Sequence, residues 1–110
     1  MRRGMFVTAL LAALLPALAA AHARLQQASP ADGSVVESAP AELMLAFSER
    51  AHLTQLSIQR QGESHARRLT PLPTAVSKDF TIALPRLAPG AYTVAYHVVS
   101  VDDGHITSGT

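Results

Sequence analysis

The chain has 110 residues, 48% of them hydrophobic, with nine Lys/Arg against eight Asp/Glu and no cysteine. The near-zero net charge gives no electrostatic case for nucleic-acid binding, and the lack of cysteine excludes both a disulfide framework and thiolate metal chemistry. The length suits one small domain that folds on packing alone.

The first residues read as a targeting segment. Arg2 and Arg3 make a positive n-region, and residues 5–15 make an apolar h-region too short to span a bilayer. Pro16 ends it, and the alanine-rich residues 17–23 supply cleavage sites. The expected organisation is a signal peptide over residues 1–21 and an exported mature domain over residues 22–110. The residues flanking Arg2-Arg3 match a twin-arginine signal poorly, which favours the Sec route. Two cuts satisfy the small-residue rule. Ala19-x-Ala21 leaves His22 first; Ala21-x-Ala23 leaves Arg24 first and discards His22. Removing Arg2 and Arg3 leaves seven basic against eight acidic residues, and no later apolar stretch is long enough to cross a membrane.

After the leader the pattern is β structure punctuated by turns. Residues 24–28 form a short strand, and Ser29-Pro30-Ala31-Asp32-Gly33-Ser34 is a turn signal. Residues 42–47 alternate, with Leu43, Leu45 and Phe47 on one face. Residues 53–60 set Leu56 and Ile58 against Gln55, Ser57 and Gln59. Gln61-Gly62-Glu63-Ser64 turns the chain, and residues 66–69 make a short strand before the loop at 71–73. Residues 80–84 alternate again, and Ala88-Pro89-Gly90 is a turn. The clearest strand follows, with Tyr92, Val94, Tyr96 and Val98 on one face and Thr93, Ala95, His97 and Val99 on the other. No window outside the leader has a 3.6-residue stripe. Short alternating strands between Pro/Gly/Ser turns predict an all-β, Greek-key immunoglobulin-like β-sandwich.

Two positions at opposite ends of the domain carry candidate chemistry. A cut after Ala21 makes His22 the mature N-terminus, which offers an amine and a ring Nδ1 in one chelate. Asp103-Gly104-His105 adds a carboxylate oxygen and a second imidazole. Three nitrogens and one oxygen in a tetragonal set suit Cu(II). Nitrogen ligands bind only without their proton, so binding weakens as acid protonates the imidazoles, near pH ~6.5 for a free ring. Taken alone, Asp102-Asp103-Gly104 is a turn signal. His52, His65 and His97 read as surface or strand-face residues, and Tyr92 and Tyr96 as core.

The chain resembles the CopC/PcoC family of periplasmic copper-binding proteins. The resemblance runs through His22-Ala23-Arg24-Leu25, Ser29-Pro30-Ala31-Asp32-Gly33 and Leu45-Ala46-Phe47-Ser48-Glu49. It continues through residues 87–94, Val98-Val99-Ser100, Asp103-Gly104-His105 and Ser108-Gly109. It implies a seven-stranded β-sandwich with copper ligands at His22, Asp103 and His105, and with Glu49 beside the site as an outer partner. Three features depart from the family pattern. Ser100-Val101-Asp102-Asp103 is one residue longer, so Asp102 competes with Asp103 for the ligand role. Residues 61–73 carry none of the methionines of a Cu(I) loop. The chain also stops at Thr110, where the family continues into a final strand, so a fragment with an unpaired sheet edge is expected.

The resemblance implies a non-enzymatic carrier that binds one Cu(II) per chain for copper resistance, homeostasis or transport. Its partners would be the copper ion and a membrane copper transporter or outer-membrane copper protein. An immunoglobulin-like interaction module without metal is the alternative, preferred if the cut removes His22. A terminal-histidine chelate also resembles the copper site of polysaccharide monooxygenases. Five Phe/Tyr residues, one of them in the leader, leave little aromatic platform for that chemistry.

Overall fold

The computed structural model describes residues 23–110. Every regular element among them is a strand: β1 (Leu25–Ser29), β2 (Glu42–Arg60), β3 (Arg67–Arg68), β4 (Ser77–Ala83), β5 (Tyr92–Ser100) and β6 (Ile106–Gly109). All pairings are antiparallel, and the sheet curls into the β-sandwich that the alternation predicts.

β2 serves both layers. Sequence divides it into two strands, at residues 42–47 and 53–60; the structure joins them in one strand of 19 residues. No Pro or Gly interrupts residues 41–61, and the backbone stays paired by changing partners. In its first part Leu45 lies between Ala28 of β1 and Phe80 of β4. In its second part Ile58 lies between Arg67 of β3 and Val94 of β5. The layers are therefore β1–β2–β4 and β3–β2–β5–β6, and the chain crosses between them from β3 to β4 and again from β4 to β5.

The buried face of β2 changes phase midway. Leu43, Leu45, Phe47, Ala51 and Leu53 are buried at odd positions, Leu56 and Ile58 at even ones. Leu53 faces Val98 and Gln55 faces His97, which leaves Thr54 as an extra residue with no opposite number. One added residue sends every later side chain to the other face. Thr54 Oγ1 donates to the His97 carbonyl at 3.1 Å, so the bulge has its own hydrogen bond.

Phe47 ties the layers together. Its ring meets Phe80 of β4 edge-on at 6.0 Å and Tyr96 of β5 at 5.4 Å, with interplanar angles of 73° and 70°. Edge-to-face pairs of this kind add to the burial energy. At the far end of β5, the Tyr92 hydroxyl donates to the Ala88 carbonyl four residues upstream. This is the tyrosine corner of Greek-key sandwiches. Arg60 Nε donates at 3.0 Å to the Pro89 carbonyl in the same turn.

Residues 106–109, which sequence left without a strand, form β6 on the outer side of β5. Gly109 stands opposite Tyr96, and a Cβ there would sit 2.8 Å from the ring's Cε2. The strand docks because that position has no side chain. Replacing Phe47 by Ala should cost about 3–5 kcal/mol, whereas Tyr92→Phe should cost about 1 kcal/mol by removing only the corner hydrogen bond. Denaturant midpoints at constant m-value measure both, and equal losses would contradict the cross-layer role of Phe47.

Candidate metal centre

The stretch of β2 from Ser48 to Ala51 collects chain from both ends of the domain. Arg24 donates its N–H to Ser48 Oγ at 2.8 Å, and the Ser48 N–H donates to the Arg24 carbonyl at 2.8 Å. Ala23, one residue earlier, is fully buried in the core. Two residues further along β2, the Arg50 carbonyl accepts from Val101 N–H at 3.1 Å, and Ala51 pairs with Ser100. The first described residues and the loop between β5 and β6 are therefore fastened to the same few residues.

That loop is closed on itself. Gly104 N–H donates to the Ser100 carbonyl at 2.9 Å, and Ser100 N–H donates to the His105 carbonyl at 2.9 Å. Gly104 makes the turn at a φ of +68°, where a side chain is strained. The Asp103 carboxylate is held twice. Oδ1 accepts the His105 backbone N–H at 3.0 Å, and Oδ2 lies 3.3 Å from His105 Nδ1. The backbone N–H is the main reason that the Asp103 carboxyl titrates below its ordinary value of 3.8; desolvation opposes it, and weaker pulls from Ser100 and the His105 ring add to the lowering. The Ser100 side chain is 1% exposed, and its Oγ closes no hydrogen bond of good geometry. It stands near enough to the carboxylate to favour the charged form without a full bond.

Of the residues singled out by sequence, the structure brings Asp103 and His105 together. Two atoms each about 2.0 Å from one metal and at right angles to each other lie about 2.8 Å apart, so a 3.3 Å separation of carboxylate and imidazole is close to that of neighbouring ligands. Asp103, not Asp102, is the carboxylate set against the ring. Glu49 is half-buried beside the Ser48 clamp. Among the described residues no three His, Asp or Glu side chains converge on one point, so Glu49 does not complete a set with Asp103 and His105. His22 and the cleavage region lie outside the described residues. His52, His65 and His97 are exposed; His65 Nδ1 pairs with Ser64 Oγ at 2.9 Å and His97 Nδ1 with Ser108 Oγ at 3.1 Å. Sequence reasoning gave Ser48 and Ser100 no role. Both stood in motifs already singled out, but a backbone clamp and a buried hydroxyl leave no spacing signature.

The described domain is thus a cysteine-free β-sandwich with a carboxylate–imidazole loop at one end. The model of the CopC domain matches residues 25–110, and the chain belongs to the CopC family. That family is one of periplasmic copper-binding proteins of copper resistance. A comparison with curated proteins gives no match.

The lowered Asp103 pKa has a definite sign. A carboxyl depressed in the native state adds stability above its ordinary value, and that stability is lost as the pH falls through the native value. Below about pH 4 the metal-free protein should therefore lose stability more steeply than Asp103→Asn. Parallel slopes in acid-dependent denaturation would show that the carboxylate is not held as described. Gly104→Ala should cost about 1–2 kcal/mol through the left-handed turn alone.

Proposed function

We propose that residues 22–110, exported to the periplasm and freed of residues 1–21, bind one Cu(II) per chain. The ligands are the amine and ring of N-terminal His22, the Asp103 carboxylate and the His105 ring. Glu49 acts as an outer partner that orients a ligand N–H. The observation that carries this reading is the double attachment to residues 48–51 of β2. Arg24 is fastened there from one side and the Asp103–His105 loop from the other. The chain entering the domain at Arg24 is thus fastened to the same stretch of β2 as the loop.

Cu(II) stands at the top of the divalent affinity order for nitrogen and oxygen donors, and the set contains no sulfur to favour Cu(I). The amine becomes a ligand only after cleavage, so export and metal binding are coupled. The protein acts as a carrier or buffer rather than an enzyme, in copper resistance, homeostasis or transport. A membrane copper transporter or an outer-membrane copper protein is the expected recipient.

A competition titration of Cu(II) into protein beginning at His22 tests the assignment. His22→Ala should weaken binding most, by more than about 100-fold and so beyond the ~10–100-fold expected when an outer partner such as Glu49 becomes Gln, and His105→Ala should weaken it less but clearly. Asp103→Asn should exceed Asp102→Asn in effect. The reverse order would move the ligand by one residue, and affinity unchanged by His22→Ala would remove the His22 ring from the site.

A further inference from the structure

At the end of the sandwich away from the Asp103–His105 loop, three arginines meet around one open cleft. Arg60 ends β2, Arg67 lies in β3, and Arg86 lies in the connection from β4 to β5; His65 and Tyr92 are among the other lining residues. Glu63 is the only carboxylate in the wall, and no ion pair joins it to any of the arginines among the described residues. Arg60 is oriented by its bond to the Pro89 carbonyl, and the guanidinium groups of Arg67 and Arg86 have no hydrogen-bond or ion-pair partner among the described residues. The fold has thus gathered uncompensated guanidinium groups in a concave site of about 760 Å³, in a mature chain whose acidic residues outnumber its basic ones.

We propose that this cleft docks an acidic, carboxylate-bearing segment of a partner protein. Guanidinium forks match carboxylates bidentately, and Arg rather than Lys is the residue suited to that geometry. The cleft has no lysine and none of the large exposed hydrophobic side chains, which are Val35, Val36, Met44, Val101 and Ile106. A surface meant to enter a membrane interface would pair its cations with such groups. Ala51, near the candidate metal loop, and Arg60, in the cleft, are about 30 Å apart along an extended strand. A partner held at the cleft leaves the loop open, and the interaction does not depend on bound copper.

The test uses the copper-free mature chain and a fluorescein-labelled hexaglutamate peptide, followed by fluorescence anisotropy at low salt. Saturable binding that weakens with added salt is expected. Arg67→Glu with Arg86→Glu should weaken it about tenfold or more, while Arg24→Glu with Arg50→Glu at the other end should leave it unchanged. If the first pair does not fold, judged by circular dichroism, Arg86→Gln alone should still weaken binding measurably. Absence of saturable binding would overturn the proposal. So would equal weakening by both pairs, no effect of Arg86→Gln, or binding to phosphatidylglycerol vesicles but not to the peptide.

Discussion

β2 keeps its apolar face inward along both layers of the sandwich only because Thr54 adds one residue to its ladder with β5. Without that bulge the strand would keep its odd phase, and Leu56 and Ile58 would leave the core for solvent. With it, a single strand buries Phe47 against Phe80 in one layer and Tyr96 in the other, then continues into the second layer with its apolar face still inward. The crossing falls at residues 48–51. There β2 is fastened to Arg24 and to the end of β5, so the strand that builds the core also determines which chain ends lie near each other.

Much of this fold was legible in the sequence. The alternations Leu43-Leu45-Phe47, Leu56-Ile58 and Tyr96-Val98 gave the buried faces correctly, because in a half-buried strand period-2 hydrophobicity is the burial pattern itself. What stayed hidden was continuity. A phase change at Thr54 looks like the end of one strand and the start of another, and no local signal separates a bulge from a break. Residues 106–109 were missed for a related reason. Four residues with one large apolar side chain have no alternation, and they pair because β5 offers an edge and Gly109 fits the Tyr96 ring.

The candidate site was legible in part. Asp103 and His105 come together because Gly104 takes the left-handed turn between them, which the Asp-Gly-His spacing permits. Of the two adjacent aspartates, Asp103 is the one that receives the His105 N–H. Glu49 was placed by resemblance alone, and its position beside the Ser48 clamp does not by itself complete a donor set. Two donors are too few for a closed metal centre. In the proposed reading the N-terminal amine and imidazole supply the missing donors; membership of the CopC family supports copper binding as such.

The most direct test of the copper reading is the EPR spectrum of one equivalent of Cu(II) on protein whose first residue is His22, recorded beside the same protein with one residue added before it. The account predicts a tetragonal, nitrogen-rich signal from a single site in the first protein, and loss of that signal in the second because the amine is no longer free. Identical spectra and affinities from the two would place the metal elsewhere and leave the Asp103–His105 loop as a closed structural turn.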